Sequence, residues 1–393
     1  MLFDFNLYSS LLLPFFIQGI VFAAILFLRG IREERLSDRL LGWLLLLNAI
    51  KIAYWMFGFA GWYDSHDAYS SFMFYFPFNN ILWMGPLLYF YFLSLTNTSF
   101  RFQKKDYRHF ILPFLFLLLI IAKWVIDFGL HRPFAPGVQT QFGTKGPLAD
   151  LEKNDWVDLA GYLSFFYYLI ITIRAFRNYQ LYTRQHFSGT EEIRFDWLRN
   201  LLYAIAAAVI IFLLFNLAGR MHLIRQTYVF DWYAYLALGI IVYYLSIAGY
   251  ALRADIKQEL HFVPEEKGPV AVISGQETKL AGLEEWKVLL LQTMEKEKLY
   301  LDPALNLTQL SKKLEAGTGV VSRVINEGTG QNFNDFVNEY RVKAVIEKLK
   351  AGEQKTQTLL GIAFDCGFNS KATFNRAFKK VMNASPKEWL GSR

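Results

Sequence analysis

A short segment near the C-terminus carries side chains that could hydrogen-bond to the edges of DNA bases. These side chains are Lys371, Thr373, Asn375 and Arg376. At helical spacing we expect them to face away from the apolar pair Phe374 and Phe378, offering the donors and acceptors that a major groove requires. Lys379 and Lys380 follow and are better suited to phosphates. Taken alone, the same charges would describe an ordinary solvated helix face.

Some ionisable residues fall inside long apolar stretches, where a charge is costly unless it is paired or faces a cavity, and three of them are candidates for sensing a ligand. Lys51 lies about eleven residues into such a stretch, which at about 1.5 Å per residue puts it near the middle of a bilayer. We interpret it as the best candidate for a buried ligand-sensing site. Lys123 and Asp127 are four residues apart and could pair on one helix face, either as an interfacial pair or as ligand contacts.

Motifs of catalysis and metal binding are absent from the sequence. It contains no HExxH zinc pair, no P-loop and no GxSxG elbow, and its six histidines lack metal-ligand spacing. We therefore predict that the protein is not an enzyme and needs no cofactor and no metal. The single cysteine, Cys366, excludes an intramolecular disulfide and suits a cytosolic C-terminal part.

Composition divides the chain into two parts. A content of 54% hydrophobic and 18% aromatic residues is too high for a soluble protein, yet charged residues occur every few positions after Arg253. We predict an all-α protein with a transmembrane sensory domain at 1–252, a juxtamembrane linker at 253–282 and a polar helical domain at 283–393. The apolar N-terminus lacks the features of a cleaved signal peptide and is interpreted as a retained span.

Seven stretches of the first part are long and apolar enough to cross a membrane as helices. They cover residues 7–28, 40–60, 72–95, 110–128, 157–176, 200–219 and 229–250. Soluble core helices are rarely this long and apolar on every side, so a buried helical bundle is the weaker interpretation. The sequence therefore predicts a seven-helix transmembrane bundle.

Positive charges in the loops predict the orientation of this bundle. Alternate loops are rich in arginine and lysine: Arg29, Arg32, Arg35 and Arg39, then Arg101, Lys104, Lys105 and Arg108, then Arg174, Arg177, Arg184, Arg194 and Arg199. The positive-inside rule makes these loops cytoplasmic. We therefore predict a multi-pass protein of the cell (inner) membrane, with its N-terminus outside and its C-terminal domain in the cytoplasm.

The segments around the last span and before the fifth are less regular. Residues 250–260 carry charges of both signs and could extend the last span as a helix, before Pro264, Gly268 and Pro269 end it. The outside loop at 129–155 is rich in proline and glycine and looks irregular. Whether the linker couples the two parts or merely tethers them is open at this point.

Short amphipathic helices follow from Leu283 onward, separated by turns that contain glycine. Two successions have the form helix, tight turn, helix, at 307–326 and at 358–381. A longer helix at 333–349 would connect them. Between Trp286 and Arg393 the chain has 17 Lys and Arg against 11 Asp and Glu, an excess that favours phosphate contact without proving it. The periodicity alone predicts a pair of helix-turn-helix units.

The two units also carry a specific order of residues. The second contains Ile362-Ala363-Phe364-Asp365-Cys366-Gly367-Phe368-Asn369-Ser370, then Phe374-Asn375-Arg376-Ala377-Phe378-Lys379-Lys380 and Ser385-Pro386, and the first contains Leu307, Leu310, Val321-Ser322-Arg323, Gly330, Phe333 and Arg341-Val342-Lys343-Ala344. This order resembles the AraC/XylS family of DNA-binding regulators over about the last hundred residues. The whole chain resembles, more weakly, membrane-embedded regulators built around such a domain.

The resemblance implies which residues contact DNA. In the first unit it assigns the recognition helix to residues 318–326, with Thr318, Ser322 and Arg323 as contacts. In the second unit it adds Ser370, which is also placed to cap the recognition helix. Gly317 and Gly319 depart from the family pattern, which usually has a capping serine and a larger groove-facing residue there. We therefore expect less base-specific readout from the first unit.

Two function classes agree with these patterns. We favour a membrane-bound, sequence-specific transcriptional regulator that couples a membrane or external signal to promoter binding. Its partners would be double-stranded DNA, the lipid bilayer, RNA polymerase by family resemblance, a second copy in a homodimer, and an unknown small-molecule or peptide signal. The alternative is a transporter or membrane enzyme whose AraC-like appendage binds another protein, an interpretation that Gly317 and Gly319 favour and the helix at 371–376 opposes.

Overall fold

The structure is a computed structural model, and it describes residues 4–62, 73, 75–131, 148, 155–190, 193–221, 228–251, 260–264 and 282–391. Within these ranges it contains fourteen α-helices, and its extended pairing is an isolated bridge between Phe187 and Asn306. The predicted all-α class is confirmed for the described part of the chain. Most of the predicted outside loop at 129–155 and of the predicted helical extension at 250–260 is not among the described residues.

The chain divides into two compact units whose boundaries do not follow the sequence order. Unit 1 comprises Met1–Arg174 and Trp197–Asp255, and unit 2 comprises Ala175–Asp196 and Ile256–Arg393. The predicted division at residues 252 and 253 stays a prediction. Composition did not indicate that Ala175–Asp196, from the middle of the chain, belongs to the same unit as the C-terminal part.

Seven α-helices precede the C-terminal part. They are α1 (Leu7–Arg32), α2 (Leu36–Phe59), α3 (Ile81–Thr96), α4 (Ile111–Val125), α5 (Asp155–His186), α6 (Asp196–Arg220) and α7 (Tyr228–Ala251). A π-helical turn, Ile126–His131, continues α4. Helix α5 begins in unit 1 and ends in unit 2.

Five of the described helical segments are long and apolar enough to cross a membrane. They are Leu7–Arg32, Leu36–Phe59, Asp106–Leu130, Val157–His186 and Asp231–Ala251. Each predicted span overlaps a helix, but a count of seven crossings is not confirmed. The third predicted span is shorter than expected, because α3 starts at Ile81 and the described residues 75–80 are not helical. There the Asn80 amide donates to the Leu47 carbonyl at 2.6 Å.

Helices α1, α2 and α7 pack together in unit 1. Gly19 allows α1 to approach α2 closely, since a Cβ there would lie 2.9 Å from the Cβ of Ala49. At the other end Arg29 forms an ion pair with Asp38 at 2.6 Å and donates to the Gly249 carbonyl at 3.0 Å. One guanidinium thus satisfies a carboxylate at the start of α2 and a carbonyl at the end of α7.

The C-terminal part of unit 2 contains seven further helices. They are α8 (Leu283–Glu297), α9 (Leu307–Lys313), α10 (Thr318–Thr329), α11 (Phe333–Lys350), α12 (Leu359–Asp365), α13 (Lys371–Met382) and α14 (Pro386–Gly391). The predicted connecting helix at 333–349 is confirmed as α11. It belongs to two hydrophobic cores, because Phe336 and Val337 pack with α8 to α10 while Val342 and Val345 pack with α12 and α13.

Side-chain caps define where most of these helices begin. The residue before each of four helices accepts a hydrogen bond from the backbone three positions later: Asn306 from Gln309, Asn332 from Asp335, Thr358 from Gly361 and Ser370 from Thr373. Each cap satisfies a backbone N–H that the helix leaves unpaired. The cap predicted for Ser370 is confirmed. Helix α10 instead begins after Gly317, which supplies no side-chain cap.

Candidate nucleic-acid interface

The second helix-turn-helix unit is formed by α12, a tight turn and α13. Gly367 in the turn has a φ of 89°, a left-handed conformation that favours glycine. A Cβ at this position would collide with the carbonyl oxygen of Tyr300. Phe368 and Phe378 are buried in the core beneath the turn. The turn predicted from the sequence is therefore confirmed, and it has a steric reason as well as a conformational one.

Helix α13 exposes most of the side chains proposed to contact DNA. Lys371, Asn375, Arg376, Lys379 and Lys380 are exposed. Thr373 differs, because it is 1% exposed and lies on the buried side of the helix. Its role as a DNA contact stays a prediction, and its burial argues against that role.

The cations of α13 are not equivalent. Lys380 forms an ion pair of 2.7 Å with Asp335 at the start of α11, so its charge is partly compensated. Within the described residues, Lys371, Arg376 and Lys379 form no ion pair. These three ammonium and guanidinium groups are therefore available to phosphates and base edges.

Helix α10 presents fewer candidate contacts in the first unit. Thr318 and Gly319 are exposed, whereas Ser322 is 4% exposed and accepts a weak hydrogen bond from the Asn326 amide at 3.4 Å. Arg323 lies 3.7 Å from Glu327. The burial of Ser322 argues against its predicted role. Contact by Thr318 and Arg323 stays a prediction.

A buried arginine lies where the two cores meet on α11. Arg341 is 1% exposed, and its Nε donates to the Tyr300 carbonyl at 2.8 Å while Nη2 donates to the Asp302 carbonyl at 2.7 Å. Nη1 donates to Asn338 at 3.3 Å. Burial lowers the pKa of Arg341 to about 10, so the guanidinium remains protonated at neutral pH. Its charge is satisfied by carbonyl and hydroxyl oxygens.

The remaining acceptors for Arg341 come from the segment that follows α5, which we call the 187–190 loop. The four residues Phe187, Ser188, Gly189 and Thr190 are all buried. The Ser188 hydroxyl accepts from Arg341 Nη2 at 2.9 Å and donates to the Leu305 carbonyl at 2.6 Å. The Ser188 carbonyl accepts from Asn334 at 2.7 Å. A single serine thus joins the connecting helix to the chain just before α9.

Neighbouring residues fix the 187–190 loop further within unit 2. Phe187 forms the isolated antiparallel bridge with Asn306, the capping residue of α9. A Cβ on Gly189 would lie 2.9 Å from the Asn369 amide, which belongs to the turn before α13. The loop therefore contacts the first unit, the connecting helix and the turn of the second unit.

Part of the predicted linker also packs in unit 2. Leu260 and Phe262 are buried, and the Phe262 ring lies 5.4 Å from Tyr179 and 5.7 Å from Tyr182, both near the end of α5. The Tyr182 hydroxyl accepts a long hydrogen bond of 3.4 Å from the backbone of His261. Residues 260–262 are thus packed, and not a solvated tether.

The candidate sensing residues lie in unit 1. Lys51 borders a cavity between helices. Asp127 is fully buried and accepts from the Tyr75 hydroxyl at 3.0 Å, and the Lys123 ammonium lies 5.9 Å from the centre of the Tyr75 ring. The structure therefore places both Lys123 and Asp127 beside Tyr75. Lys51 lies far from these two residues in the sequence.

Sequence reasoning missed the 187–190 loop and the role of Arg341. Residues 187–190, Phe-Ser-Gly-Thr, match no motif. They lie in a loop whose arginines predicted only that the loop is cytoplasmic. Arg341 was among the residues that carry the family resemblance, but the sequence predicted no role for it. Arg341 stands between Glu339 and Lys343 in a helix of mixed polarity, so the sequence around it gave no signal of its burial.

The sequence of the two helix-turn-helix units and their connecting helix is matched by a known family. A family model described as a helix-turn-helix domain matches residues 310–392. Residues 310–392 are an AraC-type helix-turn-helix domain. This AraC-type domain includes both recognition helices, α10 and α13, and the connecting helix α11.

Relatives of the AraC-type domain are transcriptional regulators and not enzymes. An uncharacterized HTH-type transcriptional regulator of Staphylococcus aureus is 30% identical over 95 residues, which cover 24% of this chain and 12% of the relative. The TCP pilus virulence regulatory protein of Vibrio cholerae is 36% identical over 64 residues, which cover 16% of this chain and 22% of the relative. The HTH-type transcriptional activator RhaS of Mannheimia succiniciproducens is 29% identical over 80 residues, covering 20% and 29%.

The chain thus spans between 12% and 29% of the length of these relatives. The likeness concerns the AraC-type domain and supports its assignment to DNA-binding transcription regulators. No solved structure matches the chain.

Proposed function

We propose that this protein is a membrane-bound transcriptional regulator whose AraC-type domain binds a specific promoter sequence in response to a signal at the membrane. The observation that carries the DNA-binding part is helix α13, which is capped by Ser370 and exposes Lys371, Arg376 and Lys379 without an ion pair among the described residues. A major groove accepts a helix with this mixture of phosphate-binding and base-reading side chains.

The membrane part of the proposal is supported by the five apolar helical segments. Seven crossings with the N-terminus outside remain the topology we propose, since the positive-inside rule then leaves the AraC-type domain in the cytoplasm with its DNA. As the AraC/XylS resemblance implies, RNA polymerase is the proposed protein partner. A homodimer is the proposed DNA-bound form, because each copy would then read one half-site.

Coupling between membrane and DNA would pass through the end of α5. This helix contains a span-length apolar segment, and it leads directly into the 187–190 loop, whose Ser188 holds Arg341. A shift of α5 would therefore act on α11, the helix that positions both recognition helices. The packing of Phe262 on Tyr179 supplies a second connection at the same end of α5.

The DNA-binding part is tested by replacing Arg376 with alanine in the full chain, reconstituted in lipid nanodiscs. A library of random DNA duplexes is incubated with the discs, and the recovered sequences are compared across a salt series. The intact protein should enrich a defined sequence, with affinity that falls steeply as salt rises. Arg376→Ala should weaken binding to that sequence by about 1–3 kcal/mol, roughly 5- to 150-fold.

Lys296→Ala is the matched control, because Lys296 is an exposed cation of α8, outside both recognition helices. It should bind the enriched sequence nearly as well as the intact protein. If Arg376→Ala and Lys296→Ala bind equally, α13 does not read DNA. The alternative, an appendage that binds another protein, would then be favoured.

A further inference from the structure

Unit 1 contains a half-open cavity of about 580 Å³ between five helices. Residues of α2, α3, α5, α6 and α7 line it, and most of its wall is apolar. The volume falls within the range of small-molecule sites in proteins, roughly 300–1,000 Å³. The polar side chains at the described wall include Asn48, Lys51, Tyr162 and Asp231.

Lys51 is the cation of this wall and lacks a partner there. Within the described residues it forms neither a hydrogen bond nor an ion pair, and the carboxylate of Asp158 acts on it from beyond ion-pair distance. Asp158 itself accepts a hydrogen bond of 2.8 Å from the Asn79 amide. Lys51 is half-buried, and an ammonium group that faces a cavity among apolar helices is costly unless an anion or a polar group meets it there.

Asp231 borders the same cavity but lies at a different depth. Arg29 contacts both Asp38 at the start of α2 and Gly249 at the end of α7, so these two helices run in opposite directions. The ring centres of Trp55 on α2 and Tyr235 on α7 are 4.9 Å apart, so these two residues lie at about the same level along the helix axes. Lys51 and Asp231 lie one turn to either side of it, about 12 Å apart along the helix axes.

The wall on the far side of Lys51 from Asp231 is apolar apart from Asn48, whose amide donates to the Leu44 carbonyl at 2.7 Å. It includes Leu44, Leu88 and Leu245, each no more than 5% exposed. A bound molecule that places an anion at Lys51 would extend its body along these leucines. The carboxylate of Asp231 would repel a second anion at the opposite end. The wall is thus complementary to a molecule with one anionic head and an apolar body.

We propose that this cavity binds a long-chain amphiphile with a single anionic head group, which Lys51 recognises. The assignment of this molecule as the signal rests on the proposed regulatory function. The binding site itself does not, because the cavity and Lys51 are independent of the AraC-type domain. A free fatty acid and an anionic phospholipid both have an oxyanion head group on an apolar chain, so both share the required chemistry.

The test measures binding of tritiated palmitate to the full chain in nanodiscs of neutral phosphatidylcholine, with protein-free discs as the background. Lys51→Met removes the charge and keeps the length of the side chain. Lys104→Met is the matched control, since Lys104 is exposed and does not border the cavity. Hexadecanol competes as an uncharged molecule of the same length.

We expect saturable palmitate binding that Lys51→Met weakens by about tenfold or more, the effect of losing a charge-assisted hydrogen bond. Lys104→Met should bind like the intact protein, and hexadecanol should compete poorly. Equal binding of palmitate by the intact protein and Lys51→Met excludes a free fatty acid as the ligand, and it overturns the proposal unless phosphatidylglycerol is retained through Lys51. Leu88→Trp, which fills the cavity, gives a second check, because palmitate binding that survives this change also overturns it.

A second arm identifies the natural source of the anion. The protein is purified from discs that contain phosphatidylglycerol, and the retained lipid is quantified for the intact chain and for Lys51→Met. Lys51-dependent retention of either palmitate or phosphatidylglycerol supports the site, and its absence for both refutes it. Neither readout uses DNA, so failure of this site is distinguishable from failure of the DNA-binding function measured with Arg376→Ala.

Discussion

At the scale of single residues, Arg341 and Ser188 show how a buried charge can organise two parts of a chain. Arg341 has no carboxylate partner among its hydrogen-bond acceptors, which are the Tyr300 and Asp302 carbonyls, Asn338 and Ser188. Removing one acceptor from a buried guanidinium leaves part of its desolvation cost uncompensated. The Ser188 hydroxyl is therefore expected to stabilise unit 2 far more than an exposed serine would.

This expectation is tested by Ser188→Ala in the nanodisc-reconstituted chain. The substitution should lower the free energy of local opening around Arg341 by about 1–3 kcal/mol. Hydrogen exchange of the backbone amides at 299–306, followed by mass spectrometry, should then accelerate roughly 5- to 150-fold. Ser99→Ala serves as the control, because Ser99 is exposed and its hydroxyl donates to Asn97, two residues away in the sequence. Unchanged exchange in Ser188→Ala would show that the loop does not hold Arg341.

At the scale of elements, local sequence accounts for most of the AraC-type domain. Apolar spacing predicts α9 to α13, and the small polar residues Asn306, Asn332, Thr358 and Ser370 explain where four of these helices begin. The departure at Gly317 is equally local, since a glycine offers no capping oxygen. Helix α3 was harder to predict, because its apolar range continues through residues that the structure leaves non-helical before Ile81.

The turn before α13 permits a prediction that separates steric from conformational effects. Gly367 and Gly352 have nearly the same φ, 89° and 88°, but a Cβ on Gly352 would meet open space. Gly352→Ala should therefore cost about 1 kcal/mol of backbone strain, and Gly367→Ala several times more. This order should appear in the thermal unfolding of the AraC-type domain within the full chain, monitored by the domain's resistance to protease. Equal losses of stability in the two variants would mean that the Tyr300 carbonyl moves aside at no cost in free energy.

At the scale of the whole molecule, the boundary between the two compact units is not a single point in the sequence. Unit 2 includes Ala175–Asp196 as well as the C-terminal part. Unit 2 therefore includes the end of α5 and residues 260–262 as well as the AraC-type domain. Under the proposed function, a signal that moves α5 would act on α11 through the 187–190 loop.

The proposed orientation can be checked with single cysteines. The native Cys366 is buried, and burial raises the pKa of its thiol to about 11, so it should react slowly. In intact cells a membrane-impermeant maleimide should label His66→Cys, which lies in a predicted outside loop, and should not label Lys104→Cys. After the cells are permeabilised, both should react. Labelling of Lys104→Cys in intact cells would reverse the proposed topology.

The sequence by itself determined the apolar helices, the two helix-turn-helix units and the family resemblance, because these follow from periodicity, capping and residue order within a few turns of chain. Only the tertiary structure decided that Ser322 and Thr373 are buried, that Lys51 borders a cavity, and that the 187–190 loop holds Arg341. These contacts join residues as far as 153 positions apart. The pairing of such distant groups depends on how whole helices pack, and no local pattern encodes it.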